Sequence, residues 1–137
     1  MLIVKIMKTL IKIIFCLFFY SSLLGQDISG NWNWNFEEKH SSEITLQQIN
    51  SNEYKGNYCS SYFDGMKIDC NENTTDYCLF LTKTADNIFT GTFESNFSKS
   101  IGRIKVEYIP SLHRIKIIIL TEPAGEFYLP NNVMFKK

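Results

Sequence analysis

The chain has 137 residues, of which 45% are hydrophobic and 15% aromatic, and its 14 basic and 14 acidic residues balance to a net charge of zero at pH 7. A chain of this length can form one domain with a real core but is too short for two after loss of a leader. No Lys/Arg cluster occurs in the sequence. We therefore expect no nucleic-acid partner and no binding to an anionic membrane surface.

Residues 1–25 have the pattern of a secretory signal peptide. Three lysines precede an apolar run at 13–20, and small and polar residues follow it. The run is shorter than the roughly 20 residues of a membrane span. We predict cleavage before Gln26, a mature domain at residues 26–137 that is secreted or periplasmic, and no stable membrane span after cleavage. The leader carries three basic and no acidic residues, so the mature domain has a net charge of about −3.

The mature domain keeps three cysteines, Cys59, Cys70 and Cys78, so three pairings are open. In an oxidising compartment one disulfide and one free thiol are expected. We favour a Cys59–Cys70 bridge, which would join a strand to its returning partner across the loop around Asp64-Gly65. Cys78 would then be a buried thiol beside an apolar run, which is ordinary for free cysteine.

The first predicted strand, Ile28–Phe36, separates an apolar from a polar face. Ile28, Gly30 and Trp32 begin the apolar face, while serine and asparagines form the other. Further strands are predicted at 42–49, 54–60, 67–70, 77–83, 88–95, 100–109 and 114–121, with two short extended pieces in 126–137. Gly56 in the third strand indicates a bulge or a tight corner. At most one short helix is expected, near Pro130.

About eight short strands joined mostly by tight turns predict an all-β domain: a single antiparallel up-and-down barrel, which closes to hide its sheet edges. The Gly30-x-Trp32 pair in a first strand after a signal peptide resembles the lipocalin and avidin group of small barrels. Tyr54–Tyr58 and Phe89–Phe93 also have an aromatic-x-Gly-x-aromatic pattern that resembles avidin-like strands. The resemblance implies a calycin-type barrel with the tryptophan across its closed end, similar to small secreted bacterial lipocalin-like proteins. The biotin-binding residues of avidins have no counterpart here.

Two groups of aromatic residues are candidates for binding. The first would line a cavity that holds a small, largely apolar ligand, unless these side chains simply fill the barrel; its members are Trp32, Trp34, Phe36, Tyr58, Phe89, Phe93 and Tyr108. The second is Tyr62 and Phe63 beside the Asp64-Gly65 turn. Large apolar groups in a loop indicate a lid or a partner-binding edge. Alternatively, a loop closed by the Cys59–Cys70 disulfide can fold these side chains inward.

The sequence does not predict an enzyme. Asp64, Asp69 and Glu94 lack the spacing of an acid/base pair, and His113 has no partner that marks it as a base. We interpret Asp64 as a turn residue and the others as solvated side chains. No Gly-x-Ser-x-Gly and no Cys-x-x-Cys occurs, so neither a serine nucleophile nor a metal site is predicted, and no cofactor is expected.

Two functions fit these patterns. The first is a secreted, non-enzymatic barrel that binds a small apolar ligand in its cavity, which the aromatic inner face favours. The alternative is a secreted interaction or inhibitor protein that binds a protein or glycan with its loops and outer face. The Tyr62-Phe63 tip and the asparagine-rich outer face favour this alternative.

Overall fold

A computed structural model describes residues 1–20, 26–71 and 75–137. Residues 2–20 form a helix, α1 (Leu2–Tyr20), whose described apolar side chains are exposed. Within the described residues, no helix is both long and apolar enough to cross a membrane. The predicted signal peptide stays a prediction, and its cleavage site at Gly25 lies at the edge of the part that is not described.

The described residues 26–71 and 75–137 form an all-β domain with nine antiparallel strands. The strands are β1 (Gly30–Phe36), β2 (His40–Gln48), β3 (Glu53–Tyr62), β4 (Lys67–Cys70), β5 (Leu79–Ala85), β6 (Ile88–Glu94), β7 (Ile101–Ile109), β8 (Arg114–Thr121) and β9 (Val133–Lys136). Eight of them close a barrel in the order β1-β2-β3-β5-β6-β7-β8-β9 and back to β1. The extra strand, β4, pairs with β3 outside this ring. The prediction of a closed antiparallel barrel of about eight strands is confirmed.

The barrel has two ends because antiparallel strands alternate in direction. We call the end where β1 finishes the Phe36 end; it carries the connections 37–39, 63–66, 95–100 and 122–132. The opposite Trp32 end carries residues 26–29, the connections 49–52, 86–87 and 110–113, and Lys137. Trp32 itself is buried inside this end, and its indole N–H donates to the Ile28 carbonyl at 2.9 Å.

Two glycines mark places where neighbouring strands approach closely. A Cβ on Gly56 would lie 2.0 Å from the Thr45 carbonyl oxygen, and one on Gly91 would lie 1.7 Å from that of Phe80. No side chain fits at either place, so the strongly curved wall requires glycine there. The sequence-based interpretation of Gly56 as a tight corner agrees with this geometry.

The segment between β8 and β9 differs from the prediction. No helix forms near Pro130, and of the two short extended pieces predicted in 126–137 only the second is a strand, β9. Residues 122–132 instead cross the Phe36 end, where Leu129 is buried and Phe127 packs against Phe93 with ring centroids 5.7 Å apart. The Gly125 and Tyr128 amides donate to the side chains of Ser100 and Asp69, and the two prolines of this segment lack an N–H for a strand ladder. A short 3₁₀ helix lies at Pro110–Leu112, between β7 and β8.

Candidate functional site

Four of the residues predicted to line a cavity lie in the packed core. Trp32, Tyr58, Phe89 and Phe93 are each exposed by 1% or less. Tyr58 meets Phe93 edge to face, with ring centroids 6.2 Å apart, and Phe89 meets another core tyrosine in the same way at 5.3 Å. Such edge-to-face contacts are the preferred packing of buried aromatic rings. These side chains fill the middle of the barrel with one another.

The other three predicted cavity residues lie near the ends. Tyr108 is partly buried and meets Trp32 edge to face at 6.4 Å. Trp34 is partly buried at the Phe36 end, while Phe36 is 51% exposed. Phe36 shares the inward face of β1, but the strand has passed the rim of the barrel before it reaches that residue. The seven residues therefore do not form one continuous lining.

A continuous group of aromatic rings lies at the Phe36 end, and we call it the aromatic patch. Neighbouring rings have centroids 4.7 to 6.4 Å apart, and the group includes the second predicted pair, Tyr62 and Phe63. Its members are Trp34, Phe36, His40, Tyr62, Phe63, Phe97 and Tyr128. Tyr62 is half-buried, and its burial raises the pKa of its phenol to about 12. Phe63 is 54% exposed. The structure therefore brings a predicted cavity residue, Phe36, together with the predicted loop pair.

Two neighbouring hairpin turns present the exposed rings of the patch. In the first turn Glu37 and Glu38 have φ of 50° and 56°, and the Lys39 amide donates to the Phe36 carbonyl at 3.1 Å. In the second turn Phe63 also has a positive φ, 55°. Left-handed backbone favours glycine, asparagine or aspartate and costs other residues roughly 1–2 kcal/mol each. Large side chains are thus held in turns whose geometry suits small ones.

The two turns are joined by hydrogen bonds that set the direction of Phe63. The Phe63 amide donates to His40 Nδ1 at 3.2 Å, and the Asp64 amide donates to the Lys39 carbonyl at 3.2 Å. The sequence analysis missed His40, Phe97 and Tyr128. Of these, only His40 had a local signal, since it follows Phe36 by four residues across a tight hairpin.

Beneath the patch, the Asp69 carboxylate joins four parts of the chain. Asp69 is 0% exposed, so its interpretation as a solvated side chain is wrong. Its two oxygens accept five hydrogen bonds of 2.7 to 3.1 Å, from the hydroxyls of Tyr58 and Ser95 and the backbone amides of Asn96, Phe97 and Tyr128. Among the described residues, no lysine or arginine forms an ion pair with it. Burial of Tyr58 and its bond to this carboxylate raise the pKa of the phenol.

The predicted disulfide forms between Cys59 and Cys70, which face each other across the β3–β4 ladder. It fixes β4 to the barrel wall one residue from Asp69. Cys78 is a buried free thiol, as predicted, and burial raises its pKa. A raised pKa leaves less of the thiolate, which is the reactive form, so the Cys78 thiol is expected to have low reactivity.

Open depressions lie on the outer surface of the barrel. The largest of those described has a volume of about 700 Å³ and lies beside the 95–100 connection, with Glu94, Asn96 and Lys99 among its lining residues. A second, of about 310 Å³, lies on the outer face of β2 and β3 and is lined in part by Gln47 and Lys55. Both are wide open to solvent, so neither encloses a ligand.

The polar residues weighed as catalytic candidates in the sequence lie in separate parts of the barrel. Within the described residues, no three His, Cys, Asp or Glu side chains lie close enough together to hold a metal ion. His113 lies in a left-handed turn at the Trp32 end, where its ring faces the Tyr108 hydroxyl at 3.3 Å. Asp64 lies in its turn as predicted, and Glu94 is only partly buried.

No known protein family, curated protein or solved structure gives a significant match to the chain. The closed eight-stranded antiparallel barrel is consistent with the lipocalin-like resemblance of the first strand. That likeness concerns the architecture, and a fold alone assigns no ligand.

Proposed function

We propose that this protein is a secreted or periplasmic, non-enzymatic recognition protein that binds another protein through the aromatic patch, with the barrel as a rigid scaffold. The observation that carries the proposal is the pair of exposed phenylalanines, Phe36 and Phe63, on two hydrogen-bonded turns. Exposed apolar groups that adjoin in this way are typical of interaction sites.

The chemistry around the patch favours a protein over a glycan. Met66 is 82% exposed in the same turn as Phe63, and Ile68 is 54% exposed on the outward face of β4. Flexible and branched aliphatic side chains do not provide the flat faces on which sugars stack. Aromatic residues with methionine are instead enriched in protein interfaces.

The backbone of the two turns is a second line of support. Replacement of Glu37, Glu38 or Phe63 by glycine would relieve a left-handed conformation that costs stability. Strained conformations are concentrated at functional sites, where the side chain is needed in that position. Binding through Phe63 gives a reason for a large ring at a position that suits asparagine.

Two features of the chain support the proposed compartment. The Cys59–Cys70 disulfide is stable in oxidising compartments and rare in reducing ones. The lysine-flanked apolar segment that precedes the domain fits an export signal. Both support function outside the cytoplasm.

A small apolar ligand inside the barrel is the alternative. It would have to displace Tyr58, Phe89 and Phe93, which contact one another or other core rings in the middle of the barrel. Opening such a space in a packed core costs several kcal/mol. The patch needs no such rearrangement, so we favour recognition at the surface.

Affinity capture with matched variants tests the proposal. The full chain is expressed with its own leader in its host, purified from the exported fraction, and compared with Phe63→Asn and Leu112→Asn. Asparagine suits the left-handed backbone at position 63, so the first variant stays folded. Leu112 is similarly exposed, 51%, but lies at the Trp32 end.

We expect a captured protein that is lost with Phe63→Asn and retained with Leu112→Asn. Identical captured proteins for all three chains would contradict the proposal. A discrete small-molecule mass that is lost on denaturation in native mass spectrometry would favour the alternative.

A further inference from the structure

Charge is distributed unevenly along the barrel axis. In the described connections at the Phe36 end the acidic residues are Glu37, Glu38, Asp64, Glu122 and Glu126 and the lysines are Lys39 and Lys99; the adjoining strand ends add Glu94 and Lys67. At the Trp32 end, β8 and β9 bring Arg114 directly opposite Lys136, next to Lys137 at the end of the chain. The Phe36 end therefore carries an excess of negative charge, whereas Asp27, Glu53 and Asp86 balance the three basic residues at the Trp32 end.

The acidic residues adjoin the aromatic patch itself. Glu37 and Glu38 follow Phe36 in its turn, and Asp64 follows Phe63 in the neighbouring turn; all three are exposed. A carboxylate oxygen of Glu126 accepts the hydroxyl hydrogen of Tyr128, a ring of the patch. Exposed phenylalanines are thus bordered by carboxylates on both turns.

One ring of the patch already contacts a cation. Lys67 Nζ lies 5.2 Å from the ring centroid of Phe97, within the distance at which an ammonium group is attracted to an aromatic face. Arginine and lysine side chains can contact both the rings and the carboxylates of the patch. Their aliphatic stems pack on apolar groups while their charged heads pair with carboxylates.

From this charge complementarity we propose that the partner presents a positively charged protein surface, with lysine or arginine side chains that contact the rings and pair with Glu37, Glu38 and Asp64. The inference rests on the proposed function and names the chemistry of the partner. A field of one sign around the contact increases the association rate and makes it dependent on salt.

The test uses defined cationic probes and matched charge variants of the full chain. A short poly-L-lysine peptide and a short poly-L-arginine peptide are each titrated against three proteins. These are the native protein, the patch variant Glu37→Gln/Glu38→Gln and the control variant Asp86→Asn/Glu107→Gln. Both variants remove two negative charges, but Asp86 and Glu107 lie toward the Trp32 end. Poly-L-glutamate is the probe of opposite charge.

We expect the patch variant to weaken binding of both cationic peptides by about 5-fold or more at low ionic strength, while the control variant changes it less than about 2-fold. Phe63→Asn should weaken binding of poly-L-arginine as well. Native affinity should decrease as salt rises from about 50 to about 200 mM.

Equal effects of the two charge variants, or stronger binding of poly-L-glutamate, would overturn the inference. If Phe63-dependent capture finds a partner without a basic surface, the proposed function stands and only the charge inference fails.

Discussion

The phenol of Tyr58 donates a 2.7 Å hydrogen bond to the carboxylate of Asp69 inside the Phe36 end of the barrel. Tyr58 belongs to the barrel wall, and Asp69 belongs to the extra strand β4, so the bond joins the two. The same carboxylate also accepts amides from the 95–100 and 122–132 connections. The scaffold beneath the aromatic patch therefore depends on one buried carboxylate.

Asp69→Asn should destabilise the protein strongly. The substitution replaces one accepting oxygen by an NH₂ group that faces donors, and it weakens the remaining charge-assisted bonds. We expect a loss of about 2–4 kcal/mol in the free energy of unfolding, measured by urea titration. Asp86→Asn is the control, since its side chain is fully exposed, and should change stability by less than about 0.5 kcal/mol. Equal stability of the two variants would refute the role of Asp69.

The Cys59–Cys70 disulfide should stabilise the domain by restricting the unfolded chain. It closes a loop with a sequence separation of 11 residues. For a loop of that size we expect Cys59→Ser/Cys70→Ser to lower the free energy of unfolding by about 2–3 kcal/mol. Treatment of the native protein with reductant should give a similar loss, while the double variant should not respond to reductant. A native protein that is equally stable in both redox states would contradict this expectation.

Stability should fall at alkaline pH, in part through Tyr62. Burial raises the pKa of Tyr62 to about 12 from the ordinary 10.0, so the folded protein retains this proton to higher pH than the unfolded chain. The stabilisation is fully present below pH 10 and is lost as the pH rises from 10 toward about 12. Tyr62→Phe should reduce the slope of unfolding free energy against pH in this window. Tyr58, whose pKa is also raised, contributes to the slope that remains. An unchanged slope in the variant would show that Tyr62 is solvated.

Glu38→Gly should stabilise the protein while it weakens partner binding. Glu38 has a φ of 56°, a conformation that glycine adopts without strain. We expect a gain of about 1 kcal/mol in unfolding free energy, seen as a higher midpoint in thermal denaturation. Asp86→Gly is the control, since Asp86 is not at a positive φ, and should give no gain. A destabilised Glu38→Gly variant would mean that the glutamate side chain stabilises its turn.

The barrel and the disulfide were predictable because both depend on local patterns. Alternation over Gly30–Phe36 separates the faces of β1, and repeated turn signals set the number of strands. Cys59 and Cys70 flank a single hairpin, so their pairing follows from the sequence between them.

The site was less predictable because its contacts are distant in sequence. Asp69 and Tyr128 are 59 residues apart, and nothing near Asp69 shows that a later connection will bury it. Alternation predicted the face of Phe36 but not its depth, since the position where the rim ends depends on how all eight strands are staggered. Phe36 was therefore expected in the interior, whereas it is exposed at the rim.

Photo-cross-linking from position 63 most directly tests whether the aromatic patch is the binding surface. Phe63 is replaced by a photoreactive phenylalanine analogue in the full chain, and Leu112 at the Trp32 end is replaced in the same way as the control. After irradiation in the exported fraction of its host, we predict one discrete protein adduct from position 63 and none from position 112. The same adducts from both positions, or none from either while native mass spectrometry shows a small molecule bound, would contradict recognition at the patch.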